Sequence, residues 1–179
     1  VLVTISGLPG SGTSTVARSV AEVLGVPRLD GGTVFRSLAV ERGMNLVDFS
    51  LLAETDPTID LALDQRLAER AVAGGVVLES RLAGHIATNQ GVAGAVRVWV
   101  ACDEAERARR VATRENLGEP AALAANRNRE RSERHRYRDY YDIDLDDLDV
   151  YDLLLDSTAA PPDHLVTRIL AAVGGTPAR

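Results

Sequence analysis

Lysine is missing from this chain: all 20 of its basic residues are arginine. Cysteine occurs once, at Cys102, which excludes an internal disulfide framework and fits a reducing compartment. Aromatic residues are scarce, at 4%, and the net charge is -6. Without aromatics interleaved among basic residues, and with an acidic total, a nucleic-acid partner is not expected. No apolar run approaches the ~20 residues of a membrane span, so no membrane partner is expected either. The stretch VLVTIS ahead of Gly7 is too short for the apolar part of a signal peptide and has no basic flank. The expectation is a cytoplasmic protein with a trimmed start. The 179 residues contain no repeat or low-complexity linker, and 45% are hydrophobic, enough for one domain over 1–179 with its own core.

What is present is an alternation of short β-branched runs and helical patterns. Val1 to Ser6 reads as a buried strand, and Thr13 to Leu24 as a helix stopped by Gly25. Further strands are expected at Val26–Asp30, Val76–Glu79, Val96–Ala101 and Tyr151–Asp156. Helices are expected at Thr33–Arg42, Leu46–Glu54, Ile59–Ala73, Glu104–Arg114, Leu123–Tyr141 and Pro162–Val173. The tail TPAR is expected to fray. This order predicts a parallel α/β sheet covered on both faces.

Between the first strand and the first helix lies GLPGSGTST, Gly7 to Thr15. It follows the phosphate-binding pattern G-x-x-x-x-G-K-[ST] except at Thr13, where lysine belongs. Gly7, Gly10 and Gly12 permit turns that aim backbone N–H groups inward, with Ser11 among them, and the helix N-terminus at Thr13, Ser14 and Thr15 adds its free donors. Ser14 stands at the hydroxyl position that ligates magnesium beside the β- and γ-phosphates. Losing the lysine's charge costs ~10²–10³ in rate unless another group replaces it. Arginine from another segment is the available substitute.

Arg36 sits behind the turn Asp30-Gly31-Gly32. Arg81 follows a strand's carboxyl end, the edge where open α/β sheets bind ligands. Arg127, Arg131, Arg134 and Arg138 recur at helical spacing and form one seam. Arg107, Arg109, Arg110 and Arg114 form a second cluster, ahead of a break at Gly118–Pro120. A charged surface helix explains the seam as well as bound phosphates would.

Taken together, ISGLPGSGTST, GGTVFRSLAVERGM, DPTIDLALDQR, VVLESRLAG, RERSERHRYRDYYDIDLDDL and YDLLLDST resemble the cytidylate kinases, in their short archaeal-type branch. The resemblance covers nearly the whole chain. It implies a P-loop three-layer α/β/α fold with a parallel five-stranded sheet, a helical acceptor-binding insertion over about 31–73 and a small lid over about 114–131. It implies ATP as phosphoryl donor, magnesium as cofactor, and CMP or dCMP as acceptor. Arg36 and Arg81 match arginines that hold the acceptor phosphate. Arg131 and Arg134 match lid arginines that close over the transferring group, with Arg110 as a further candidate. Asp30 matches an acid near the acceptor and the metal, which it would reach through water. Asp60, one helical turn from Asp64, would read base or sugar, or simply face solvent. Ser80 replaces a glycine, and Ser132 replaces an aspartate that contacts cytosine in the bacterial branch. The acceptor base is therefore less firmly implied than phosphoryl transfer.

The reaction as read needs no general base, so His85 and His135 are expected to be structural. Cys102 is expected to pack as a small hydrophobe, and Tyr137, Tyr140 and Tyr141 to seat the arginine-rich helix. A monomer is the expectation. The loop alone leaves open kinases for AMP, UMP, shikimate or gluconate, and a nucleotide-binding regulatory protein with little turnover.

Overall fold

The computed structural model describes residues 1–175, except for the side chains of Leu46 and Val47. The expected fraying of TPAR therefore lies outside the described residues. Five strands, β1 (Leu2–Gly7), β2 (Arg28–Asp30), β3 (Val76–Glu79), β4 (Val96–Ala101) and β5 (Leu153–Asp156), form one parallel sheet in the order β2-β3-β1-β4-β5. β1 is buried along its whole length because it is the central strand, covered on both faces.

One face of the sheet packs on α1 (Thr13–Leu24) and α8 (Pro162–Gly175), through Val16, Val20, Leu165 and Ile169 against Val3, Ile5, Val98 and Val100. The other packs on α4 (Pro57–Ala73), α5 (Ala83–Asn89) and α7 (Glu119–Tyr141), through Leu67, Ala71, Ile86 and Tyr137. The short helices α2 (Gly31–Glu41) and α3 (Leu46–Ala53) join α4 around a small core of their own, Leu38, Phe49, Ala53 and Ile59. α6 (Glu104–Glu115) and α7 form a helical pair joined at Gly118. The three-layer α/β/α fold matches the expectation. Three strands and seven helices lie where expected, within a few residues at their ends; β2 and β5 are shorter. α5 is an eighth helix beyond those expected: AGHIATN is too short and too rich in small residues to show a periodicity.

Candidate active site

All five strands point their carboxyl ends at one edge, and the glycine loop lies there, between β1 and α1. Gly10 and Gly12 adopt positive φ, 85° and 88°, which side chains other than glycine's rarely tolerate. A side chain at Gly10 would also strike the Arg107 carbonyl. Arg107 is itself buried; it donates to the Pro9 carbonyl at 3.2 Å and pairs with Glu130, fastening loop to α7.

In the loop the lysine position is occupied by a hydrogen bond. Thr13 donates its hydroxyl to Glu79 Oε1 at 2.9 Å, and Ser14 donates to the same oxygen at 2.6 Å. Glu79 ends β3 and is buried. Reading the sequence alone passes over it, although a carboxylate closing the apolar run VVLE is a usable signal. A hydroxyl that gives its proton to Glu79 keeps its lone pairs for a cation. Ser14, Asp30 and Glu79 line the same cavity and present only hard oxygen donors, which suit magnesium held mainly by substrate phosphates. No group of three or more His, Cys, Asp or Glu side chains that could hold a metal ion occurs among the described residues.

That cavity, of about 840 Å³, runs from the loop between α4 and α7. It is lined by Gly7, Gly10, Thr13, Ser14, Asp30, Arg36, Asp60 and Arg81 of the expected residues. Asp30 caps α2, accepting from the Gly32 N–H at 2.9 Å and from Thr33 Oγ1 at 2.7 Å. Arg36 stands one turn on, 3.6 Å from Asp30 and mostly exposed toward the cavity space. Arg81 is almost enclosed: it donates to the Gly7 carbonyl and, at 2.6 Å, to Glu133. Burial opposes its charge, but the Glu133 carboxylate more than offsets that, and the guanidinium titrates above its usual range. Burial likewise opposes the charge of Glu133, and Arg81 and Arg129 together hold it below the usual carboxylate range.

The expected arginines on α7 are elsewhere. Arg131 and Arg134 are not among the cavity-lining residues; Arg131 is exposed and Arg134 pairs with Asp146 on the surface. The reason is the rotation of the helix. Its buried stripe is Ala122, Asn126, Glu133 and Tyr137, so the arginine seam sits one residue off, ~100° around the axis. The α7 residues that line the cavity are Asn128, Arg129, Ser132, Glu133, Arg136 and Tyr137, with the Arg129 side chain mostly exposed.

Arg136, on α7, faces Asp60, on α4, and both line the cavity. Its Nε lies 2.9 Å from Asp60 Oδ2. The alignment falls short of a hydrogen bond, so both buried atoms keep unused capacity. Burial raises the Asp60 carboxyl against the pull of Arg136. Burial also raises Asp64, to about 6, beside the Tyr141 hydroxyl.

Ser11, Gly12, Thr15 and Arg110 line a second groove on the outer side of the loop, about 290 Å³, with Ser157, Pro162 and Leu165. Arg110 is thus placed outside the main cavity, donating to the Ser157 carbonyl at 2.6 Å and Glu106 at 2.7 Å. His85 is buried edge-on to Tyr151, and burial lowers its pKa, consistent with a structural role. Tyr137 joins the core, and the Tyr140 hydroxyl donates to the Glu54 carbonyl at 3.2 Å. No helix among the described residues is long and apolar enough to cross a membrane.

Comparison with known proteins agrees with this architecture. The model of the cytidylate kinase-like family matches residues 2–159. A cytidylate kinase of Halobacterium salinarum is 46% identical over 173 residues, covering 96% of this chain and 88% of the relative. One of Methanopyrus kandleri is 41% identical, covering 97% and 93%. Among solved structures, an uncharacterized protein from Eubacterium ventriosum has a TM-score of 0.75 at 18% identity, with 98% of this chain and 99% of that one covered. A shikimate kinase from Acinetobacter baumannii in complex with shikimate has a TM-score of 0.62 at 16% identity, covering 99% and 95%. The structural likenesses establish the fold. The sequence likenesses go further, and they establish that this chain belongs to the cytidylate kinase-like family.

Proposed function

We propose that this protein transfers the γ-phosphoryl group of ATP to CMP or dCMP in the cytoplasm, as a monomer, releasing ADP and the nucleoside diphosphate. The observation that carries the reading is a glycine loop opening into a cavity whose wall holds Arg36, Arg81, Arg114, Arg129 and Arg136. The curated relatives named cytidylate kinase support the choice of acceptor.

The acceptor phosphate oxygen is ionised near neutral pH and attacks the γ-phosphorus directly. A new P–O bond forms as the bond to ADP breaks, so no side chain must remove a proton. Catalysis reduces to alignment and charge neutralisation. Loop N–H groups hold the β-phosphate. Magnesium, when bound, would neutralise β- and γ-oxygens, with Ser14 as ligand and Asp30 and Glu79 as carboxylates behind it. Arg36 and Arg81 hold the acceptor phosphate. Arg129 and Arg114, at the α6–α7 end of the cavity, supply charge that Thr13 does not. The α2–α4 helices over about 31–73 carry the acceptor, and the α6–α7 junction over about 114–131 acts as a lid that excludes water. The groove under Arg110 takes the donor base.

Asp60 and Arg136 suit the edge of cytosine. A carboxylate accepts from the N4 amino group, and a guanidinium donates to N3 and O2. Uracil would set its O4 oxygen against the carboxylate.

ADP release measured with CMP, dCMP, UMP and AMP tests the reading. The highest kcat/KM is expected with CMP or dCMP. A preference for AMP would overturn the acceptor. ATP binding without ADP release for any acceptor would leave a nucleotide-binding regulator instead.

A further inference from the structure

Glu79 is a buried carboxylate on the cavity lining, and its two neighbours in the loop are neutral hydroxyls. Removing a carboxylate from water costs several kcal/mol unless a cation accompanies it. In a loop with lysine at position 13 the ammonium would stand beside it. Here the cation comes from another element. Arg28 donates Nη1 to Glu79 Oε2 at 2.5 Å. β2 pairs with β3 in a register that sets Asp30 opposite Glu79 and Arg28 opposite Val77. Residues two apart on a strand share a face, so Arg28 is the diagonal neighbour of Glu79 and reaches it along the sheet. Arg28 does not line the cavity, so its effect on the loop passes through Glu79.

We propose that Arg28 is a positioning residue that gives Glu79 the cationic partner Thr13 cannot provide. It fixes the Glu79 carboxylate, and Glu79 in turn fixes the hydroxyls of Thr13 and Ser14. The inference rests on the reading of the loop as the ATP phosphate site. It makes positions 13 and 28, on different elements, energetically dependent on each other.

The test is a double-mutant cycle with R28M, T13K and T13K/R28M, plus R28Q and R28K. Readouts are kcat, KM for MgATP and for CMP, ATP affinity by calorimetry, and the thermal midpoint. R28M and R28Q are expected to lower kcat or weaken MgATP binding ~10- to 100-fold, the scale for a group that orients a ligand-bearing residue. KM for CMP should stay within ~3-fold. R28K should recover most of the loss, because it restores the charge. In the T13K background R28M should cost little, since the new ammonium serves Glu79. Equal losses in both backgrounds would overturn the proposal, as would a lowered midpoint with kcat and ATP affinity intact. Should R28M fail to fold, R28Q against R28K decides the same point: no difference between them sinks the idea. If the unaltered protein transfers phosphate to no acceptor, the kinase reading fails separately, and ATP affinity across the cycle still decides the role of Arg28.

Discussion

Helix α7 carries arginines on two faces, and they lead different lives. On the outer face Arg127 pairs with Glu104, Arg134 with Asp146 and Arg138 with Asp144, all largely in solvent. On the inner face Glu133 is held by the nearly enclosed Arg81 and by Arg129, whose own side chain is mostly exposed, and Arg136 meets Asp60 away from water. Outside, water screens each pair and holding two long side chains together offsets most of the attraction. Inside, each charge depends on its partner, and the misaligned Arg136–Asp60 pair leaves capacity for a ligand. Residue type alone therefore says little about these arginines. Burial and the neighbour decide.

The sharpest way to break the contrast is Arg81→Ala. It leaves the buried Glu133 with only the mostly exposed Arg129, and loss of one member of a buried pair costs up to about 3–5 kcal/mol. Urea unfolding should show that loss, and turnover should fall with it. A loss near zero would mean the inner pair behaves like a surface pair.

Asp64→Asn tests the same interior through pH. Burial lifts the folded-state pKa of Asp64 from 3.8 to about 6. The folded chain then holds this proton more tightly than the unfolded one. The contribution is fully favourable below pH 4 and is lost as pH rises through 6. The variant should therefore gain stability relative to the parent by up to about 3 kcal/mol at pH 8, and little at pH 4. Melting curves at the two pH values check it, and a pH-independent difference would contradict it.

Arg36→Ala should raise KM for the acceptor ~10-fold or more, the loss of one charged contact, with ATP affinity little changed. At the small end, Arg138→Ala removes an exposed pair with Asp144 and should leave both kcat and the unfolding midpoint within experimental error.

Much of this can be read from the sequence, and the misses have physical causes. The loop is legible because its glycines and Ser14 sit between a β-branched run and a helical one. Strands β1, β3 and β4 stand out as apolar runs bounded by glycine or acid. α7 begins at Glu119, four residues before the periodicity starts, because Pro120 suits a first turn and its pattern is polar there. The arginine seam is real but lies off the cavity lining: it runs parallel to the buried stripe and one residue away. Ala122 and Tyr137 are the clue to the rotation, outweighed by charge density. Glu79, Glu133 and Arg136 escape notice because their roles depend on segments up to 76 residues apart meeting in space, as Asp60 and Arg136 do. No local pattern encodes such a pairing.

The central claim is that the inner face of α7, not its outer seam, serves phosphoryl transfer. It is tested most directly by kcat/KM for CMP, measured side by side in Arg136→Ala, Arg129→Ala, Arg131→Ala and Arg134→Ala. The account predicts losses of ~10²-fold or more for Arg136 and at least ~10-fold for Arg129, with Arg131 and Arg134 within ~3-fold of the parent. Parent-like activity in the first pair and a collapse in the second would contradict it.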